Sequence, residues 1–301
     1  MKDKIGLVGL GLVGTAIAER LLAGDFDVVG FDIDSGKHIH LEELGGNAVG
    51  SPAQVAQQAA RIIFSLPDTN IVKQVVEGPS GILEAKTPPS YIIDTTTGDP
   101  DETIALAQRL AERQIHFLDA TISGSSRQVR DKEAVFMVGG DKIAFETCGD
   151  IFQTLSEKVF YLGPSGNGSK AKLASNLILG LNRVALAEGL VFAGKLGLEL
   201  ETLLEMLKVT AAYSAVMDTK GKKMLNGDFT AESRIRQHHK DVLLILKYAE
   251  KAGQELPLSR VHLGALEKAI EAGDADCDNA AIIREIKRRK IRHRRINRRE
   301  R

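Results

Sequence analysis

Gly9, Gly11 and Gly14, in the run "GLGLVG", fall at the spacing G-x-G-x-x-G between the apolar "KIGLVGL" and the helical "GTAIAERLLAG". That context suits a pyrophosphate. The first glycine permits a tight turn, the second lets phosphates approach the backbone, and the third lets the helix close on the strand. The helix start adds free N–H groups and a positive dipole. Leu10, Leu12 and Val13 complete the loop and join the glycines as expected cofactor contacts. Asp32 ends the next strand-like run, "DVVGFD", 23 residues after Gly9. A carboxylate there accepts from the adenosine ribose hydroxyls and repels a 2′-phosphate, which favours NAD over NADP. Its other reading is a plain turn residue in "DIDSG".

A second stretch, "GNGSKAKLASN" (Gly166–Asn176), opens a helical run with two glycines and carries Lys170, Lys172 and Asn176. Lys172 and Asn176 are i and i+4 neighbours on one helix face. The glycines let the helix start lie close against a neighbouring element or a ligand. On the residues alone, these are either site residues or ordinary surface residues of an interdomain helix.

The elements that must position these groups change character along the chain. Up to "KVFYLG" (Lys158–Gly163), short β-rich runs such as "RIIFSLP", "YIIDTTT", "IHFLDATIS" and "AVFMVGG" alternate with helical patterns. This order implies βαβ units and a parallel sheet covered on both faces. From Gly166 onward only helical periodicity remains. The spacing therefore predicts an α/β parallel-sheet domain over residues 1–163 and an all-α domain over 164–301. Carboxyl ends of parallel strands line a cofactor crevice, which adds Leu66, Pro67 and Thr96 to the expected contacts.

The chain has 301 residues, 43% hydrophobic and 27% charged, with two cysteines lacking any C-x-x-C or ligand-like spacing. Disulfide and zinc frameworks are not indicated. Nor do the histidines recur at metal-ligand spacing. The glycine-punctuated N-terminus does not read as a signal peptide, and the absence of an apolar run of about 20 residues predicts no membrane span. The cytoplasm is the default expectation. The formal net charge of zero hides an asymmetry: Arg284–Arg301 holds 11 basic and 2 acidic residues, leaving 29 basic and 38 acidic elsewhere.

Four separated motifs carry a resemblance to the β-hydroxyacid dehydrogenase family, which includes 3-hydroxyisobutyrate dehydrogenases and tartronate semialdehyde reductases. They are "IGLVGLGLVGTAIAERLL", "LDATISGSS" (Leu118–Ser126), "GPSGNGSKAKLASN" and "HKDVLL", with "SLPD", "DTTTGDP" and "VGGD" also in family order. The resemblance runs from Lys4 to about Ile283. It implies a Rossmann-type NAD-binding domain followed by a helical domain similar to that of 6-phosphogluconate dehydrogenases. It implies Lys172 as catalytic acid/base, with Ser123, Gly124 and Asn176 on the substrate. Lys240 is implied beside substrate and nicotinamide, and its plainer reading is a helix-surface lysine paired with a carboxylate. Thr96 matches a position contacting the nicotinamide ribose, and Lys170 is off the motif, facing solvent.

Hydride transfer to or from the nicotinamide leaves an alkoxide-like oxygen that must gain or lose a proton. A lysine supplies it during reduction; for alcohol oxidation its ordinary pKa of about 10.4 must be lowered by burial or a neighbouring cation. The implied substrate is a short 3-hydroxy acid or its semialdehyde, and the implied assembly a homodimer or homotetramer. "GSSRQVR" departs from the family's G-G and brings in Arg127 and Arg130, either substrate contacts or solvated loop charges. Two alternatives stay open. An imine reductase has the same architecture but usually loses the lysine. The basic tail, with ten Lys/Arg from Lys287 to Arg301, would bind nucleic acid or an acidic partner through phosphate neutralisation.

Overall fold

Eight short runs form one sheet: β1 (Lys4–Val8), β2 (Asp27–Phe31), β3 (Asn47–Ala48), β4 (Arg61–Phe64), β5 (Tyr91–Asp94), β6 (His116–Ser123), β7 (Val135–Gly140) and β8 (Lys158–Tyr161). This computed structural model describes residues 3–289. The spatial order is β3-β2-β1-β4-β5-β6-β7-β8. The pairings from β3 to β6 are parallel, whereas β7 runs antiparallel to β6 and β8 parallel to β7. The reversal departs from a wholly parallel sheet. Only 11 residues join Ser123 to Val135, fewer than the dozen or more that a parallel crossover needs.

Helices α1 (Leu12–Ala23), α2 (Ser35–Glu43), α3 (Pro52–Gln58), α4 (Thr69–Glu77), α5 (Pro100–Ala111), α6 (Ser126–Arg130), α7 (Lys142–Thr147) and α8 (Gly149–Leu155) accompany the strands. Strand alternation divides the core in two. Ile5, Leu7 and Ile63 pack with Ile17 and Leu21 of α1, while Val8, Ile62 and Phe64 pack with Val72 of α4 and Leu106 of α5. Burial on both faces explains why "RIIF" reads as a continuous apolar run.

The remaining helices are α9 (Asn167–Lys195), α10 (Leu200–Lys208), α11 (Lys222–Asn226), α12 (Ile235–Lys251), α13 (Pro257–Glu271) and α14 (Ile282–Arg288). Leu186, Leu190, Val242, Leu266 and Ile283 form the centre of a separate core. The chain divides into compact units at Ser175/Asn176, later than the boundary expected at 163/164, because the first turns of α9 are bonded to the sheet, as described below.

The expectation of no apolar segment long enough to span a membrane needs correction. By length and composition α9 is such a segment, with a third of its most apolar stretch buried. Lys170, Lys172, Arg183 and Glu188 interrupt its apolar run, so no uninterrupted apolar stretch marks it in the sequence. The basic tail beyond Arg289 lies outside the described residues. Inside them, Arg288 meets Asp274 at 3.2 Å and Arg289 meets Glu285 at 3.0 Å.

Candidate active site

The glycine loop between β1 and α1 is built as its spacing predicts, and the three glycines are needed for different reasons. Gly9 has φ +94°, and a Cβ there would lie 2.2 Å from the Ser65 carbonyl oxygen. A Cβ on Gly14 would lie 1.9 Å from the Gly9 oxygen. Gly11 is unlike both: an added Cβ meets no protein atom within 4 Å, so packing does not demand glycine there. Gly11 caps α1 without a side-chain bond, and the first turn carries no acidic residue. Leu12 and Val13 therefore present the positive end of the helix with no competing carboxylate. These features fit a dinucleotide phosphate.

The neighbouring strand ends complete this edge. Asp32 follows β2, and its carboxylate accepts from the Leu10 N–H at 2.6 Å and the Asp34 N–H at 2.9 Å. Each oxygen retains a further lone pair for a ribose hydroxyl. After β4 and β5, the Leu66 N–H donates to Thr96 Oγ1 at 3.3 Å. The Thr95 hydroxyl donates to the Phe64 carbonyl at 2.7 Å. Since β2, β1, β4 and β5 are adjacent and parallel, the structure brings Gly9–Gly14, Asp32, Leu66, Pro67 and Thr96 to one edge.

Asp94, at the end of β5, accepts from the Thr96 N–H at 2.9 Å. Burial pushes its carboxyl up to about 7, with the Thr96 bonds opposing and the Asp119 charge adding to the rise. A folded pKa above the unfolded value means the protonated form stabilises the fold at low pH. That contribution is lost as pH rises from about 4 through 7. Asp94→Asn removes the titration. Urea unfolding should therefore show the wild type losing stability relative to this variant between pH 4.5 and 7.5.

Two backbone donors at the start of α9 converge on one carboxylate. The Gly166 and Ser169 N–H groups each donate to Asp119 of β6 at 2.8 Å. The Thr121 hydroxyl, two residues along the strand, donates to the Gly168 carbonyl at 2.9 Å. Gly166 has φ +89°, and a Cβ on Gly168 would stand 2.2 Å from the Asp119 carbonyl oxygen. So the glycines of "GNGSK" let a helix start lie against a strand. Burial raises the Asp119 pKa, opposed by the Ser169 and Gly166 N–H groups.

One turn on, Lys172 is 9% exposed and Asn176 5%, while Lys170 faces solvent. The Asn176 side-chain amide donates to Asp241 of α12 at 2.9 Å. Lys240 Nζ lies 3.7 Å from the other oxygen of Asp241. Asp241 thus joins two expected site residues. It stands inside "HKDVLL", but nothing in that motif marks it as their shared partner. Ser123 ends β6 and Gly124 follows at φ +153°. A Cβ on Gly124 would meet Ala134 Cβ at 2.9 Å.

Two of the residues that depart from the family pattern, Ser125 and Arg130, have structural partners. The Ser125 hydroxyl accepts from the Gln128 N–H at 3.3 Å and caps α6. Arg130 pairs with Glu19 of α1. Arg127 is 89% exposed beside Asp131, as a solvated loop charge would be.

Comparison with known proteins gives the family of both parts of the chain. Residues 4–163 match the NAD binding domain of 6-phosphogluconate dehydrogenase, and residues 166–286 match the domain described as NAD-binding of NADP-dependent 3-hydroxyisobutyrate dehydrogenase. The 2-(hydroxymethyl)glutarate dehydrogenase of Eubacterium barkeri is 30% identical over 282 residues, covering 93% of this chain and 94% of its own. Glyoxylate/succinic semialdehyde reductase 1 of Arabidopsis thaliana is 30% identical over 284 residues, covering 94% and 98%. In fold, the chain superposes on a 3-hydroxyisobutyrate dehydrogenase from Salmonella typhimurium with a TM-score of 0.87, at 24% identity and over 94% of this chain and 99% of that one. With two matched domains in the same order and full-length relatives at this identity, the chain belongs to the β-hydroxyacid dehydrogenase family of NAD(P)-dependent oxidoreductases.

Proposed function

We propose that this protein oxidises a short 3-hydroxy acid to its semialdehyde, or runs the reverse reduction, with NAD preferred over NADP and Lys172 as the acid/base. The burial of Lys172 and Asn176 on one face of α9 carries this reading, because a buried lysine beside a buried amide suits proton transfer more than solvation. When bound, the nicotinamide accepts or supplies the hydride. Lys172 takes the hydroxyl proton during oxidation and returns one to the carbonyl oxygen during reduction. Asn176, held by Asp241, hydrogen-bonds the substrate, and Lys240 adds positive charge. Ser123 and Gly124 offer N–H and hydroxyl donors to the substrate carboxylate. Gly9–Gly14 hold the pyrophosphate, Asp32 the adenosine ribose, and Leu66, Pro67 and Thr96 the nicotinamide half.

The substrates named for the two relatives, 2-(hydroxymethyl)glutarate and succinic semialdehyde, pair a carboxylate with a nearby alcohol or aldehyde, which supports this class. Ile178, Phe192 and Leu196 of α9 are 60%, 65% and 62% exposed. Such an apolar stripe suits the face of a homodimer or homotetramer.

The test is formation of NADH over a panel of short hydroxy acids, including 3-hydroxyisobutyrate, glycerate, 4-hydroxybutyrate and 2-(hydroxymethyl)glutarate. At least one acid should turn over, with kcat/KM about tenfold or more higher for NAD than for NADP, since Asp32 repels a 2′-phosphate. Cofactor binding with no turnover across the panel would overturn the reading.

A further inference from the structure

Asp94 ends β5 and is 5% exposed. Its carboxylate accepts from the Thr96 N–H at 2.9 Å, and the Thr96 hydroxyl also acts on it, favouring the ionised form. The same hydroxyl oxygen accepts from the Leu66 N–H at 3.3 Å. One buried carboxyl thus stands behind both loops assigned to the nicotinamide half of the cofactor, Leu66–Pro67 after β4 and Thr96 after β5.

The groups that face Asp94 differ from side to side. Its partners in the sheet are Phe64 of β4, which is apolar, and Asp119 of β6. Residues in register point to the same face of a sheet, and the Asp119 charge raises the Asp94 pKa. The start of α9 brings the Gly166 and Ser169 N–H groups, both of which Asp119 takes. Asp101 and Glu102, in the first turn of α5, face solvent. Burial is the largest influence, and the carboxyl titrates at about 7.

A hydroxyl has one proton to give and two lone pairs. With Asp94 ionised, the Thr96 proton goes to the carboxylate and stays inside the fold. With Asp94 neutral, the carboxyl O–H donates to Thr96 Oγ1, whose other lone pair takes the Leu66 N–H. The Thr96 proton then points outward to a ligand. Thr96 is 4% exposed, and in so dry a place bulk water does not make good a bond that is withdrawn.

We propose that Asp94 is a positioning residue for the cofactor: acting through Thr96, it decides whether that hydroxyl gives its proton to the nicotinamide ribose or keeps it inside the fold. This rests on the reading of Thr96 as a contact of that ribose. The neutral carboxyl is the binding-competent form. Affinity is therefore highest at low pH and falls as pH rises through about 7, because binding and protonation of Asp94 favour one another.

NADH binding, followed by fluorescence at pH 6 and pH 8, tests this in wild type, Asp94→Asn and Thr96→Val. NADH is the probe because its nicotinamide ring is uncharged, so an ionised Asp94 does not attract it. Groups that titrate elsewhere are the same in Asp94→Asn, and the difference between the two proteins isolates Asp94. Wild-type affinity should fall between pH 6 and pH 8 by roughly 3–10-fold more than that of Asp94→Asn, the range for one net hydrogen bond. Asparagine mimics the neutral carboxyl, since its oxygen accepts the Thr96 N–H and its NH₂ donates to the hydroxyl. Asp94→Asn should therefore bind NADH more tightly than wild type at pH 8, a gain that losing a merely structural carboxylate would not give. Thr96→Val should bind weakly at both pH values, without the wild-type pH dependence.

Equal pH dependence in wild type and Asp94→Asn, or weaker binding by Asp94→Asn at pH 8, would overturn the assignment. If Thr96→Val matches wild type at pH 6, the ribose contact fails and the assignment falls with it. If Thr96→Val weakens NADH while Asp94→Asn keeps the wild-type pH dependence, the Asp94 role alone is wrong. No NADH binding at all would overturn the functional reading as well. Should Asp94→Asn fail to fold, a pH dependence present in wild type and absent from Thr96→Val still supports the assignment, and one shared by both overturns it.

Discussion

Replacing Lys172 with alanine is expected to lower kcat by about 10²–10⁴-fold, the usual contribution of a general acid–base group, while NAD still binds. Alanine is the best helix former, so α9 should persist around the substitution. The glycine loop and Asp32, which carry the proposed cofactor contacts, are remote in sequence. Titrating NAD into the variant by fluorescence, beside steady-state and single-turnover rates, separates binding from chemistry. Lys172→Arg is the sharper variant. Arginine keeps the positive charge but does not release a proton at working pH. Its activity should therefore fall about as far as that of the alanine variant. Activity restored by arginine would mean that the lysine acts only as a charge, and the proton-transfer role would be wrong.

Asp119→Ala should destabilise the protein by about 2–6 kcal/mol, because it orphans two buried backbone donors at roughly 1–3 kcal/mol each. Those donors are the Gly166 and Ser169 N–H groups, which both point at this carboxylate. Asparagine offers one acceptor oxygen and turns an NH₂ towards the other donor. Asp119→Asn should therefore fall between wild type and Asp119→Ala. Urea unfolding followed by circular dichroism reads the order directly. A loss under about 1 kcal/mol for Asp119→Ala would leave the helix start without the anchor assigned to it here. If Lys172 is the acid/base proposed above, both variants should also lose kcat, since it stands only three residues beyond Ser169 and small displacements of such a group are costly.

The dinucleotide loop was legible because glycine spacing, strand and helix agree within a few residues, and Asp32 follows at a fixed offset. What the spacing did not distinguish is that crowding demands Gly9 and Gly14, while Gly11 stands clear of protein. The alternation of strand and helix revealed the sheet. It could not reveal the reversal at β7, which follows from a connection too short to cross over. The partners that hold α9 were not legible. Asp119 lies 47 residues from Gly166, and Asn176 lies 65 from Asp241. One sequence carries no mark that joins residues so far apart.

Asp119, Thr121 and Ser123 alternate along β6 and so share one face of the strand. The first two fasten the start of α9, and the third opens the loop assigned to the substrate carboxylate. The strand works as a ruler: the helix bearing Lys172 and the loop beginning at Ser123 are measured from the same origin, two residues apart at each step. A one-residue slip would turn all three to the other face together. For anyone redesigning the enzyme, this divides the chain into parts to keep and parts to vary. Residues 119–124 are the fixed scale, and the turn from Ser125 to Arg130, capped by its own Ser125 and tied to α1 through Arg130, is where a different side chain would change what is measured without moving the zero.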